Sequence, residues 1–122
     1  MLEDDMEVAM ARKLIVKELS IDLCVYVYEL TKAFPHDERY GLRSQIRRCA
    51  VSVPSNIAEG ANRHSTLEFL RFLYIAKGSL AELDTQLTIA VRLGYIPEYE
   101  NALISRVLIL LNALIKALKH NQ

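Results

Sequence analysis

Glycine and proline are scarce in this chain, with four and three among 122 residues. So few turn-formers leave room for few turns, which excludes an all-β fold built from many short strands and requires long elements. Cysteine is limited to Cys24 and Cys49, far from any C-x-x-C arrangement. Both fall inside apolar helical patterns, so buried, reduced thiols in a reducing compartment are expected, with no disulfide framework. No stretch reaches about 18 uninterrupted apolar residues, so no membrane span is expected. The opening Met1-Leu2-Glu3-Asp4-Asp5 is acidic and lacks the apolar run of a secretory signal, so a cytoplasmic protein is expected.

Net charge is also lacking: 15 basic residues balance 15 acidic ones. The balance hides a segregation. Residues 1–38 hold nine acids against four bases, and residues 39–92 hold eight bases against four acids. A zero total therefore does not exclude a local basic face. What is plentiful is apolar surface, 52% of the residues, enough for one domain spanning residues 1–122 with a proper core.

Four helical segments are predicted, at roughly 8–33, 37–62, 65–93 and 97–119. In the first, Ile15, Leu19, Leu23, Tyr26 and Leu30 recur at helical spacing, and Phe34-Pro35 ends it. The second carries Leu42, Ile46, Cys49, Val53 and Ile57 on its inner side. Pro54 within it removes a backbone hydrogen bond, which predicts a kink or a break near Ser52. The third starts at a capping box, Ser65-Thr66-Leu67-Glu68. A near-heptad seam follows: Phe69, Leu73, Ala76, Leu80, Leu83, Leu87 and Ala90. Gly78 in its middle costs about 1 kcal/mol relative to alanine and predicts close approach of a neighbouring backbone. Gly94 supplies the stop as a left-handed residue. Pro97 suits the first position of the fourth helix. That helix has two apolar stripes, Leu103, Val107, Leu110, Leu114 and Leu118, and beside them Ile104, Leu108, Leu111 and Ile115. One stripe suffices for a bundle core, so the second is assigned to a homo-oligomer interface, against the alternative of a wide stripe packed within the monomer.

Together these segments predict an all-α, antiparallel up-down four-helix bundle. Catalytic chemistry finds no foothold. His36, His64 and His120 pair with no ligand at metal spacing, so no metal and no cofactor are expected. The four glycines are scattered and form no phosphate loop, and no nucleophile elbow is present. Some small helical-bundle ribonucleases use an Arg followed by His after four to six residues. No Arg stands at those positions before any histidine here.

Binding residues are easier to nominate. Arg39, Arg43 and Arg47 recur every four residues and project from one side of the second helix, with Arg48 beside them and Arg63 beyond. Arginine suits phosphate because its planar fork donates two parallel hydrogen bonds. The alternative is that these arginines pair with acids on the first helix or on a neighbouring subunit. A set of polar residues, Gln45, Ser52, Asn56, Glu59, Ser79, Glu82 and Gln86, is assigned to a structural hydrogen-bond network inside the bundle or at a subunit seam.

Residues 30–96 carry a recognisable pattern: Phe34-Pro35, Glu38, Tyr40-Gly41-Leu42, Gln45-Ile46-Arg47-Arg48 and the run Ser52-Val53-Pro54-Ser55-Asn56-Ile57-Ala58-Glu59-Gly60. It continues through Phe69, Ile75-Ala76, Gly78-Ser79, Glu82-Leu83, Gln86-Leu87 and Leu93-Gly94-Tyr95. This pattern resembles the 23S rRNA intervening-sequence protein family, also called four helix bundle proteins. Cys49, where that family often has alanine, is a small departure. The resemblance implies a four-helix bundle that assembles as a ring, usually a homopentamer, and implies no enzymatic activity. It also implies kinship with accessory proteins of diversity-generating retroelements, which bind nucleic acid and a reverse transcriptase. The expected function is a non-catalytic oligomeric scaffold for RNA or an RNA-handling protein. The competing expectation is a protein–protein interaction module with no nucleic-acid binding.

Overall fold

Long amphipathic repeats with few breakers produce long helices. The computed structural model describes the backbone of residues 2–120 and the side chains of residues 7–120. The acidic opening from Met1 to Asp5 lies outside the described side chains. Among the described residues four α-helices form: α1 Leu2–Thr31, α2 Leu42–Ala61, α3 Thr66–Arg92 and α4 Ala102–His120. A short 3-10 turn, His36–Glu38, leads into α2, and no strand occurs among the described residues. No described helix is long and apolar enough to cross a membrane.

Pro97 does not open α4, contrary to the sequence expectation. Residues 97–101 stay outside any helix because tertiary bonds hold them there. The Tyr99 hydroxyl donates to the Asp84 carboxylate at 2.6 Å, and the Glu100 N–H donates to the Tyr26 hydroxyl at 2.8 Å. The Glu100 carboxylate then accepts the N–H of Ala102, where the helix begins. The α3 stop is as expected. Gly94 has φ +78°, its N–H bonds to Val91, and the Tyr95 N–H bonds to Ala90, a Schellman ending. At the α3 start the Ser65 hydroxyl accepts the Glu68 N–H, but the Glu68 carboxylate accepts from Arg71 instead of returning to Ser65.

Pro54 sits inside an unbroken α2. Proline leaves the carbonyl four residues back, that of Ala50, without its helical donor. The Cys24 thiol of α1 donates to that carbonyl at 3.1 Å. Burial pushes the Cys24 thiol up to about 11, so it remains a protonated donor. At the other end of α2, Gly60 is where two backbones come close. A Cβ there would lie 2.6 Å from Cβ of Phe72 and 3.3 Å from the Phe69 carbonyl oxygen. Gly78, where such an approach was expected, meets nothing within 4 Å in this chain.

One continuous core joins all four helices. Each of α1 and α3 packs on both α2 and α4, and neither diagonal pair touches among the described residues. Most of the α2 and α3 stripes are as read from sequence, but Leu42 and Phe69 are half-buried, and Ala50, Leu70 and Phe72 are buried as well. The α1 stripe is shifted: Val16, Leu23 and Val27 are fully buried with Ser20 and Thr31, while Ile15 is 50% exposed. Apolar periodicity missed this because two core positions are hydroxyls. Each bonds its own helix: Ser20 to the Lys17 carbonyl and Thr31 to the Val27 carbonyl, both at 2.8 Å. The second stripe of α4 is also corrected. Ile104, Leu111 and Ile115 are buried inside the single chain, and Leu108 alone of the four reaches the exposed surface. Contact with both α1 and α3 makes the interior face of α4 wide, so its hydrophobicity needs no second subunit.

Candidate nucleic-acid interface

The first turns of α2 bring arginines against the C-terminal end of α1. Arg39, Arg43, Arg47 and Arg48 line one concavity of about 510 Å³ with Tyr28, Tyr40, Ser44 and Val51. Arg43 and Arg47 stand four residues apart on α2, whereas Arg39, expected on the same helix, precedes it at the end of the 3-10 turn. The arginines are not equivalent. Arg47 is tied to α1: its Nε donates to the Thr31 hydroxyl at 2.8 Å and its Nη2 to the Tyr28 carbonyl at 3.1 Å. Its guanidinium also lies 4.4 Å from the Tyr28 ring centroid. It therefore caps the α1 C-terminus, where carbonyls lack donors and a cation is favoured. Arg39 lies 5.5 Å from the ring centroid of Tyr40, which is 87% exposed. Arg48 donates only to Ser44, at 3.4 Å. No carboxylate pairs with Arg39, Arg43 or Arg48 among the described residues.

Arg63 is not part of this cleft. It ion-pairs with Glu59 at 2.6 Å, lies over the Phe72 ring, and lines a different cavity with Lys13 and His64. The two tyrosines were missed in the sequence because their spacing fits the helix and turn patterns that surround them. The available signal was Tyr40 directly after Arg39 in a turn with no apolar partner nearby. Basic side chains interleaved with aromatic ones form the usual surface for single-stranded nucleic acid, pairing phosphates and stacking bases.

The polar residues assigned to a network divide into two sets. Gln45, Ser52, Ser79, Glu82 and Gln86 line a groove of about 420 Å³ between α2 and α3, with Arg48 and Cys49. Asn56 and Glu59 lie outside it, bonding to Ser52 and Arg63. The groove is not one connected network. Gln86 donates to Glu82, Ser52 donates to the Cys49 carbonyl, and the Cys49 thiol donates to the Ser79 carbonyl. The Oε1 of Gln86, buried at 8% exposure, has no donor among the described residues. Burial first and the nearby Glu82 second push the Cys49 thiol up to about 11, so it is an unreactive donor.

A carboxylate fixes the cleft from behind. Glu38 accepts the Leu42 N–H at 3.0 Å and the Tyr95 hydroxyl at 2.7 Å. The backbone bond and then the tyrosine bond hold its carboxyl below its ordinary range. Glu38 thus joins the start of α2 to the turn after α3. No group of three or more metal-ligating side chains converges among the described residues.

Comparison with known proteins fits this picture. The fold is similar to a crystal structure of a protein with unknown function from the S23 ribosomal protein family of Bacteroides thetaiotaomicron. That similarity has a TM-score of 0.64 at 23% identity and covers 89% of this chain and 96% of that one. No curated protein matches the sequence. The sequence matches the family described as 23S rRNA-intervening sequence protein over residues 12–117. With that match spanning most of the sequence, the chain belongs to the 23S rRNA-intervening sequence protein family.

Proposed function

We propose that this protein is a non-catalytic scaffold that binds RNA through the arginine–tyrosine cleft at the α1–α2 junction. The observation that carries this reading is that Arg39, Arg43 and Arg48, without acid partners among the described residues, share one concavity with the exposed Tyr40. Unpaired guanidinium groups in one concavity attract phosphates, and an exposed tyrosine offers a stacking face. Arg47 contributes charge while holding the floor in place. The family's name links its members to rRNA genes and is consistent with such a ligand.

The reading includes an antiparallel up-down bundle. Cross-helix pairs support it. Thr31 meets Arg47 while the earlier Cys24 meets the later Ala50, and Tyr26 meets Glu100 while the earlier Arg12 meets the later Ala113. It also includes a cytoplasmic homo-oligomer, for which the family resemblance is the support. Several protomers in one assembly would multiply a cleft with only a few cations into a useful affinity.

The test is binding of the purified protein to a labelled structured RNA across a salt series, beside Arg39→Glu/Arg43→Glu. These two residues make no α1 bond, so the variant keeps the anchor at Arg47. Binding is expected to fall with a log–log salt slope of about −2 per engaged protomer and to drop at least about tenfold in the variant. Salt-insensitive binding, or none at low salt, would leave a protein-binding module as the function.

A further inference from the structure

Arg63 and His64 are left over by the cleft. They share a cavity of about 400 Å³ with Lys13 of α1, where α1, the α2–α3 turn and the C-terminal part of α4 meet. Met10 at its rim and Tyr28 in the cleft are about 27 Å apart along α1 at the helical rise. The two concavities have no residue in common.

Two kinds of surface line this cavity. Met10, Phe69 and Leu118 are its large apolar groups, and the small Ala9 and Ala61 leave the space between them. Ala9 belongs to the core, and Phe69 and Leu118 are half-buried against it, so the floor continues the core outward. Met10 is 56% exposed, and its flexible thioether can follow the shape of whatever enters. The polar lining is made of donors. Lys13, Arg63 and His64 offer N–H groups, and Ser65 and Thr66 offer hydroxyls. The Ser65 oxygen already accepts the Glu68 N–H, which leaves the Ser65 proton to donate. No carboxylate lines the cavity among the described residues.

Charge selects the head group. Arg63 is paired with Glu59 at 2.6 Å, so its charge is largely offset. Lys13 is half-buried and makes no ion pair among the described residues. A single uncompensated cation above an apolar floor fits a ligand with one anionic head and an apolar tail. We infer that this cavity binds a medium-chain monocarboxylate. Its tail lies against Met10, Phe69 and Leu118, and its carboxylate accepts from Lys13 and from the Ser65 and Thr66 hydroxyls. The volume is at the small end of ligand sites, about 300–1,000 Å³, which keeps the tail short. The adjoining concavity of Lys116 and Lys119 is equally basic, but its apolar lining is only Val8 and two alanines, too little to hold a tail.

The experiment is isothermal titration calorimetry on the full chain with decanoate, octanoate and decylammonium below their micellar concentrations. The set is wild type, Lys13→Glu, Met10→Asn and Lys116→Glu, with folding checked by circular dichroism. Wild type is expected to bind one decanoate per chain, and octanoate about tenfold more weakly for its two missing methylenes. Decylammonium has the same tail with the opposite head and should not bind. Lys13→Glu should weaken decanoate at least about tenfold. Lys116→Glu makes the same charge change on the adjoining concavity and should bind as wild type. Met10→Asn lies at the exposed rim, so it carries the test if Lys13→Glu fails to fold, and it too should bind more weakly. Absence of decanoate binding at millimolar concentration overturns the inference. So does equal binding of decylammonium, equal loss in Lys13→Glu and Lys116→Glu, or unchanged affinity in the folded Lys13 and Met10 variants.

Discussion

The two halves of α2 are similarly polar in sequence but differ in how completely the fold uses them. In the C-terminal half, each unusual residue has a partner. Pro54 frees a carbonyl that Cys24 takes, Asn56 bonds back to Ser52, and Gly60 admits Phe72. In the N-terminal half, Arg47 is the arginine with fixed partners on another helix, while the side chains of Arg43 and of Arg39 just before the helix make no hydrogen bond among the described residues. Side chains that satisfy one another stabilise the protomer. Charged side chains left without partners remain available for a ligand. Stability and binding should therefore separate along a single helix.

The largest effect that would break this comparison is at Gly60. Gly60→Ala places a methyl 2.6 Å from the Phe72 side chain and 3.3 Å from a backbone oxygen, so α2 and α3 must part. A loss of about 2–3 kcal/mol is expected, read as a lowered Tm by circular dichroism. An unchanged Tm would mean that the C-terminal half is not the tight seam. Arg47→Met comes next. It keeps the aliphatic length but leaves the α1 carbonyl end uncapped, with an expected cost of about 1–2 kcal/mol in a urea titration. Arg43→Met in the same titration should be neutral, and equal losses would erase the distinction between anchoring and free arginines.

Cys24→Ala tests the helix proline. Removing the thiol leaves the Ala50 carbonyl without a donor, for an expected cost of about 1 kcal/mol. In a Pro54→Ala background that carbonyl regains its helical donor, so the loss should shrink; undiminished loss would assign Cys24 to packing alone. The smallest effect concerns pH. Glu38 titrates below its ordinary value in the folded chain, because the Leu42 N–H and then the Tyr95 hydroxyl bond its ionised form. The stability it contributes is therefore present above the unfolded carboxylate pKa and is lost as pH falls through the lower, folded one. Wild type should lose its Tm advantage over Glu38→Gln on acidification, and parallel Tm profiles would remove the role assigned to Glu38.

Much of the fold was legible because helix formation and burial are written in local spacing. Few breakers and a 3.6-residue apolar period determined four helices, the α2 and α3 core stripes, the Ser65 cap and the Gly94 stop. The motif run through Pro54 to Gly60 also identified the family. Arg43 and Arg47 were legible as one face because a four-residue spacing on a helix fixes it regardless of what packs behind, while Arg39 joins them from the turn before α2. Three matters were decided only by tertiary structure. Pro97 is a good helix opener, yet Tyr99 and Glu100 find hydroxyl and carboxylate partners on α1 and α3 that keep residues 97–101 out of a helix. The wide apolar face of α4 reads like a subunit interface until two neighbours cover it. Arg47 reads like its fellow arginines until the end of α1 supplies its acceptors. In each case the deciding partner is distant in sequence, and a local pattern carries no information about which distant groups will arrive to satisfy it.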